Sequence, residues 1–135
     1  MEKDKNLMGE SLSDDNISSI KETAEFIVSV LDSKKASDIK LLHVEKQTVI
    51  ADYFVICTGN SRTQIRALAD EVDHQLEGYG ITALRTEGMD SGIWVLKDYG
   101  AVILHIFNSQ SRDFYKLEKL YDGTIDVDIS EIIAD

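Results

Sequence analysis

Hydrophobic residues recur along the chain with two different periods, and each period predicts a different kind of element. They recur every three or four positions, as on one face of a helix, in three stretches: Ser19–Leu31, Ser61–Leu76 and Ser109 to about Tyr121. They alternate with polar residues, or run without a break, in five strand candidates: Asp38–Val44, Thr48–Thr58, Ile81–Thr86, Ile93–Lys97 and Ala101–Phe107. The predicted order is α-β-β-α-β-β-β-α. This is an α/β (α+β) fold, with a mixed sheet of about five strands and three helices.

The stretch from Thr86 to Phe107 is predicted to form the centre of the sheet. Asp98-Tyr99-Gly100 separates its two strand candidates, and the glycine can supply the positive φ that a hairpin turn often needs. Both sides of Ala101–Phe107 are mostly apolar, which indicates a central strand covered on both faces. The second strand, second helix and third strand have the order of a right-handed crossover.

Three helices are too few to cover both faces of five strands, so we expect one sheet face to stay partly open. Trp94, the only tryptophan, follows the acidic loop Glu87–Gly92 and enters the fourth strand. Two interpretations fit this residue. It packs in the core, or it is an apolar anchor in a protein interface, where tryptophan is enriched.

The length of 135 residues is typical of one domain with its own core. We predict a disordered N-terminal segment at residues 1–16, a folded domain at 17–121 and an acidic C-terminal tail at 122–135. The N-terminus lacks the pattern of a signal peptide, and no apolar run approaches the roughly 20 residues that span a bilayer. The single cysteine, Cys57, is expected to be a buried, inert thiol. Together these features predict a cytoplasmic protein without a membrane partner.

The net charge of −11 lies mostly at the two ends of the chain. Residues 1–16 carry −3 and residues 122–135 carry −5, which leaves −3 for residues 17–121. No basic stripe is available for phosphates, so direct nucleic-acid readout is not expected. An acidic protein can still act on a nucleoprotein by docking on one of its basic protein components.

Side chains with catalytic or metal-binding chemistry are scattered. His43, His74 and His105 lie on separate predicted elements without ligand spacing, so no metal or other cofactor is expected. Gly59-Asn60-Ser61, between a strand and a helix, is similar to the phosphate-holding turn of nucleotidyltransferases, but the Asp-x-Asp pair that holds magnesium there is missing. The only such pair, Asp126-Val127-Asp128, lies in the tail. We therefore predict a protein that is not an enzyme and has no catalytic residues.

Several short motifs coincide between Ile20 and Tyr121. They are Lys35-Ala36-Ser37-Asp38-Ile39, Ala51-Asp52-Tyr53-Phe54-Val55-Ile56-Cys57-Thr58-Gly59-Asn60-Ser61, Ile65, Ala69-Asp70, Glu87-Gly88, Gly92, Trp94-Val95, Asp98-Tyr99-Gly100, His105-Ile106-Phe107, Arg112, Phe114-Tyr115, Leu117-Glu118 and Leu120. In combination these motifs resemble the ribosomal silencing factor family, RsfS, also called Iojap-like. The resemblance implies a nucleotidyltransferase-like fold without the transferase chemistry.

The resemblance also implies a function. A member of this family is expected to bind the large ribosomal subunit through ribosomal protein L fourteen, a basic protein at the subunit-joining surface. Occupying that surface would block the small subunit sterically and repress translation under nutrient limitation. Organelle relatives are linked instead to large-subunit assembly. A vestigial or active nucleotidyltransferase is a further alternative, and a homodimer that hides or shares the docking surface is also open.

By the family pattern, the docking surface includes the loop and hairpin around Trp94. The predicted partner-binding residues are Trp94 as the anchor, Met89 and Leu96 beside it, a polar rim of Lys97, Asp98 and Tyr99, and His105. For His105 a second interpretation is open, that of a hydrogen-bonded, half-buried histidine. Strict strand alternation puts Trp94 and Leu96 on one face of the sheet and Lys97 on the other. These residues cannot all point at one flat partner, so the turn after Lys97 must contact the partner with its edge. The chain departs from the family pattern at Ala101, where an acidic residue is usual, and at Asn60, where threonine is common.

Overall fold

The fold is a six-stranded mixed sheet with three helices, seen in a computed structural model that describes residues 19–44, 51–116 and 124–133. The elements in chain order are α1 (Ile20–Ser33), β1 (Ser37–His43), β2 (Tyr53–Thr58), α2 (Arg62–Glu77), β3 (Arg85–Glu87), β4 (Trp94–Asp98), β5 (Val102–Phe107), α3 (Ser109–Tyr115) and β6 (Ile125–Asp126). The strand order in the sheet is β3-β4-β5-β2-β1-β6. The fold class predicted from the sequence is confirmed.

The centre of the sheet is the parallel pair of β2 and β5, in register from Tyr53 opposite Val102 to Thr58 opposite Phe107. All six residues of β5 are buried, which confirms the prediction of a central strand. β4 pairs with β5 in the antiparallel direction through the Asp98-Tyr99-Gly100 turn. The predicted crossover from β2 through α2 reaches β3, but β5 and β4 lie between those two strands in the sheet.

The first two helices bury the faces that their periodicity predicts. Ser19 and Ser61 cap α1 and α2, and their hydroxyl oxygens each accept a backbone N–H at 3.0 Å, from Glu22 and Gln64 respectively. The buried residues are Ala24, Ile27, Val28, Val30 and Leu31 in α1, and Ile65, Leu68, Ala69, Val72 and Leu76 in α2. They pack on the same side of the sheet as Leu41, Val55, Val95 and Leu104. We call this side the helix-covered face.

The opposite side, which we call the aromatic face, carries Leu42, Phe54, Ile56, Trp94, Leu96, Ile103, His105 and Phe107. Most of these side chains are buried, whereas Trp94 and Leu96 are only half-buried. The aromatic face is therefore partly accessible at the Trp94 end of β4, which is where the sequence pattern predicts an incompletely covered sheet.

The sheet has six strands instead of the predicted five because part of the acidic C-terminal stretch joins it. Leu42 and His43 of β1 pair with Asp126 and Ile125 of β6, and the Val127 N–H donates to the Leu41 carbonyl at 2.8 Å. Four apolar side chains of this stretch pack against the core: Val127, Ile129, Ile132 and Ile133. Their spacing gives the stretch an apolar side in spite of its negative charge, so this part of the predicted acidic tail packs on the domain.

The third helix is shorter than its sequence pattern indicates. The sequence offers Ser109 or Ser111 as its N-cap, but the structure uses Asn108, whose side-chain oxygen accepts the Ser111 N–H at 2.8 Å. α3 ends at Tyr115, and Lys116 follows in the left-handed region with φ 46°. The predicted continuation to Tyr121, the start of the second strand near Thr48 and the N-terminal segment 1–16 lie outside the described residues.

Two further predictions bear on the class of protein. Cys57 is buried, and burial raises the pKa of its thiol to about 12 despite the opposing charge of Arg112, in agreement with an inert side chain. Across the described ranges, no helix is both long and apolar enough to cross a bilayer.

Candidate functional site

Trp94 sits among aromatic side chains because of the pairing between β4 and β5. In the antiparallel register Trp94 lies opposite Phe107, and Leu96 lies opposite His105, so all four side chains share the aromatic face. The Trp94 and Phe107 rings stack with centroids 4.9 Å apart, and the Tyr115 ring of α3 lies 4.6 Å from the Trp94 ring. The indole is thus packed on its inner side and partly exposed on its outer side.

The accessible apolar surface continues from Trp94 onto α3. The Phe114 ring meets Tyr115 edge-on at a centroid distance of 5.0 Å, and Phe114 is 79% exposed. Tyr115 is 44% exposed. We call the group formed by Trp94, Leu96, Phe114 and Tyr115 the aromatic patch. Exposed aromatic side chains in contact with one another are typical of protein-docking surfaces.

Periodicity places Phe114 on the apolar face of the third helix, and the structure leaves this side chain exposed. No residue of α3 is buried. The sequence does contain a signal for this arrangement. Phe114 and Tyr115 are adjacent, and adjacent residues of a helix point about 100° apart, so one narrow apolar face cannot accommodate both side chains.

The loop that leads into Trp94 is held by close backbone packing and by α2. Gly88 has φ +86°, and a Cβ there would lie 1.9 Å from the Trp94 carbonyl oxygen, so only glycine fits. Arg66 of α2 donates from Nε to the Met89 carbonyl at 2.8 Å and from Nη2 to the Asp90 carbonyl. These contacts fix the backbone position from which Trp94 projects.

His105 lies beneath Trp94 and is only 5% exposed. The indole Nε1–H donates to His105 Nδ1 at 3.1 Å, and the Phe54 ring meets the imidazole edge-on at 5.2 Å. Burial lowers the pKa of His105 to about 4, so the imidazole is neutral near pH 7. His105 thus supports the site from below, and its own surface is almost closed to a partner.

Lys97 and Tyr99 lie on the helix-covered face, away from Trp94. The Lys97 ammonium binds the Asp73 carboxylate of α2 and also donates to Thr86 Oγ1 at 3.1 Å. The Tyr99 hydroxyl donates to Asp73 Oδ1 at 2.6 Å. Burial, with the hydrogen bond to Asp73, raises the pKa of Tyr99 above its usual range. These side chains form a polar network that ties the hairpin to α2.

The seven predicted partner-binding residues therefore do not form one surface. Trp94, Leu96 and His105 share the aromatic face, whereas Lys97 and Tyr99 face α2. Asp98 accepts the Gly100 N–H at 2.8 Å within the turn, and Met89 packs against the core of the helix-covered face. Contact of each residue with a partner remains a prediction.

Apart from the aromatic patch, a cavity of about 570 Å³ opens where β2 and β5 end and where α2 and α3 begin. Its lining includes Gly59, Asn60, Ser61 and Arg62, the turn that is similar to that of nucleotidyltransferases. Among the described residues, Asp38 is the only carboxylate that lines it, whereas the nucleotidyltransferase turn is accompanied by an Asp-x-Asp pair that holds magnesium. Asp126 and Asp128 line a different pocket, beside β6. Within the described ranges, no group of three potential ligand side chains could hold a metal ion.

Comparison with known proteins identifies the family. A family model described as "Ribosomal silencing factor during starvation", RsfS, matches residues 17–135. This chain belongs to the RsfS family. The match includes the packed C-terminal stretch with β6 as well as the aromatic patch.

Relatives from bacteria and from an organelle share the domain. The ribosomal silencing factor RsfS of Bacillus subtilis is 41% identical over 101 residues, which cover 75% of this chain and 86% of that protein. The mouse protein named mitochondrial assembly of ribosomal large subunit protein 1 is 28% identical over 115 residues, or 82% of this chain and 50% of that protein. A crystal structure from Chromobacterium violaceum, 34% identical, superposes with a TM-score of 0.76 and covers 78% of this chain and 88% of that chain.

Proposed function

We propose that this RsfS-family protein is a cytoplasmic ribosomal silencing factor that docks on ribosomal protein L fourteen of the large subunit. While bound there, it prevents the small subunit from joining and represses translation under nutrient limitation. Membership of the family supports the ribosomal role. The observation that carries the docking mode is the aromatic patch, an accessible apolar surface formed by β4 and α3.

The aromatic patch has the composition of a docking site for a basic protein. Its aromatic side chains can bury a large apolar area with little loss of conformational freedom, which makes them effective anchors. Asp98 lies on the same side of β4 as Trp94 but at the opposite end of that strand, and the exposed Asp113 beside Phe114 pairs with Lys116 at 3.1 Å. The negative charge that complements a basic partner is therefore that of the whole chain, −11. Complementary charge would speed the encounter with a basic partner and fix its orientation.

The proposed mechanism is exclusion and requires no chemical step. A bound factor occupies space that the small subunit needs, so the two compete for the same free large subunits. The silenced fraction then depends on the concentration of the factor relative to its dissociation constant. Silencing of this kind is reversible, because dissociation returns an unchanged large subunit.

Binding to purified large subunits and to isolated L fourteen tests the proposal. Trp94→Ala and Phe114→Ala each remove part of the aromatic patch, and the exposure of Phe114 makes the second change compatible with an intact fold. Leu84→Ala is the matched control, since Leu84 is 75% exposed and its N–H bonds to Asp98, at the far end of β4 from Trp94. We expect both patch variants to bind more weakly and the control to bind like wild type. The proposal is refuted if the wild type binds neither purified large subunits nor isolated L fourteen.

A role in large-subunit assembly is the second candidate, and the name of the mouse relative favours it. Sucrose-gradient sedimentation of extracts with and without the protein separates the two roles. Silencing predicts normal large subunits and fewer joined ribosomes when the factor is active. Assembly predicts immature large-subunit precursors when the gene is deleted.

A second copy of the chain could also cover the aromatic patch. Sedimentation equilibrium of the purified protein, wild type against Phe114→Ala, tests this arrangement. A dimer that the substitution dissociates would place the patch in the homodimer interface, and docking would then require dissociation. A monomer at micromolar concentration leaves the patch free for L fourteen.

A further inference from the structure

The hydrogen bond between Trp94 and His105 determines the chemical state of the imidazole. An indole N–H can only donate, so Nδ1 of His105 must be an unprotonated acceptor. A neutral imidazole with an acceptor at Nδ1 carries its proton on Nε2. The bond therefore requires one specific neutral tautomer of a histidine that is almost completely buried.

The surroundings of His105 maintain this neutral state. Its lateral neighbours in the sheet are Leu96 on β4 and Ile56 on β2, and the rings around it are those of Phe54, Trp94 and Phe107. None of these groups is ionisable in the physiological range. Desolvation is the cause that lowers the pKa of His105. The Nδ1 acceptor is accordingly available throughout the physiological pH range, so the hydrogen bond does not act as a pH switch there.

The same bond selects one orientation of the indole. The torsion between Cβ and the ring of tryptophan is soft and has broad minima, and stacking on Phe107 restrains the ring plane more than its direction within that plane. Only the orientation that brings Nε1–H toward His105 makes the hydrogen bond. The opposite ring edge is then the one left for the accessible side of the aromatic patch.

We propose that His105 is a positioning residue that orients the Trp94 indole for docking through its Nδ1 acceptor, without touching the partner itself. This inference rests on the proposed docking function. It differs from the sequence-based expectation that His105 contacts the partner directly. Its consequence is that removing the acceptor should weaken docking, while replacing the histidine by another acceptor should preserve it.

A matched pair of variants separates the acceptor from the volume of the side chain. His105→Leu and His105→Asn are both branched at Cγ and similar in size, but only asparagine places an acceptor oxygen near the position of Nδ1. We expect His105→Leu to bind large subunits about three- to tenfold more weakly, as for the loss of one hydrogen bond. We expect His105→Asn to bind within about twofold of wild type. In a Trp94→Phe background, which lacks the donor, His105→Leu should add no further loss.

Spectroscopy of the single tryptophan gives a readout independent of binding. The indole N–H of the wild type should exchange with solvent more slowly than an unprotected indole, as measured by NMR. The fluorescence anisotropy of Trp94 should fall in His105→Leu and recover in His105→Asn. Exchange at the unprotected rate in the unmodified protein would overturn the inference even if His105→Leu failed to fold.

The outcomes also separate this inference from the proposed function. If the wild type binds neither large subunits nor L fourteen, the docking proposal fails and the positioning role fails with it. If the wild type binds and Trp94→Ala does not, docking stands. In that case, wild-type affinity in His105→Leu, or equal losses in the leucine and asparagine variants, would overturn the positioning role alone.

Discussion

Alternate residues of β4 face two environments that are built in opposite ways. On the helix-covered face, Lys97 is tied to Asp73, which also accepts the Tyr99 hydroxyl, so buried polar groups are matched to one another. On the aromatic face, Trp94 and Leu96 are half-buried, and Trp94 makes one hydrogen bond to His105. The first arrangement closes a tertiary contact within the chain. The second leaves apolar surface accessible, and this is the side on which we propose that a partner docks.

Gly88→Ala should have the largest effect, because it disturbs the backbone that supports both faces. An added Cβ would overlap the Trp94 carbonyl oxygen at a positive φ, so the loop and β4 must separate. We expect a loss of about 4 kcal/mol in the free energy of unfolding, together with loss of docking. Urea denaturation monitored by circular dichroism measures the first effect.

Gly80→Ala is the matched control for Gly88→Ala. Gly80 also has a positive φ, +78°, but a Cβ there would meet nothing within 4 Å. Gly80→Ala should therefore lower the free energy of unfolding only through backbone strain, by about 1 kcal/mol. Equal losses in the two variants would show that the contact with Trp94 is unimportant.

The aromatic face should give the protein a specific sensitivity to acid. The pKa of His105 is about 4 in the folded protein against an ordinary value of 6.5. Below pH 6.5 the unfolded chain takes up a proton that the folded state does not bind, so stability falls as the pH decreases toward 4. Over this window the free energy of unfolding falls by about 3 kcal/mol, and above pH 6.5 this loss is absent.

Urea denaturation at pH 7 and pH 4.5 measures this loss. His105→Asn cannot titrate, so its stability should fall less between the two pH values than that of wild type. His74→Asn, at an exposed position of α2, should behave like wild type. The same pH dependence in wild type and His105→Asn would contradict a neutral, buried His105.

Asp73→Asn should affect the helix-covered face alone. It leaves the buried Lys97 ammonium without its counter-charge and weakens the acceptor for Tyr99. Because the Asp73 side chain is 27% exposed, we expect the free energy of unfolding to fall by about 2 kcal/mol. This is less than the loss caused by breaking a fully buried ion pair. Asp70→Asn, at an exposed position of the same helix, should change stability by less than about 0.5 kcal/mol. If Asp73→Asn bound large subunits more weakly at a temperature where it is fully folded, the two faces would not be independent.

Phe114→Ala should have the smallest effect on the fold and act only on the aromatic face. An exposed side chain contributes little to stability, so the free energy of unfolding should change by less than about 0.5 kcal/mol. Affinity for large subunits should fall about tenfold, as for an anchor near the centre of an interface. Equilibrium binding by sedimentation measures this. Unchanged affinity would restrict the docking site to Trp94 and Leu96.

Local periodicity was sufficient to predict the helices α1 and α2, the hairpin and the central strand. In each of these elements the buried face repeats at the period of the backbone, so a short window of sequence contains the information. Periodicity also placed Trp94 and Lys97 on opposite sides of β4. Periodicity could not show which of the two sides is accessible, because that depends on which side α2 covers.

The remaining features depend on contacts between distant parts of the chain. The placement of β3 at an edge, with β5 and β4 between it and β2, is a matter of sheet pairing that no local pattern specifies. β6 was missed because a strand of two residues, one of them Asp126, is too short to show an alternating pattern. The bond between Trp94 and His105 joins residues 11 positions apart and follows from the register of β4 and β5, which is a tertiary property.

The short strands at the two ends of the sheet affect how copies of the protein can meet. β3 has three residues and includes the charged pair Arg85 and Glu87, while β6 has two residues and places Asp126 beside Lys40. An edge this short and charged offers few free backbone groups to an incoming strand and resists edge-to-edge aggregation. Among the described elements, a face of the sheet or a helix is therefore better suited to self-association than a strand edge, and a dimer would use the same type of surface as the proposed docking partner.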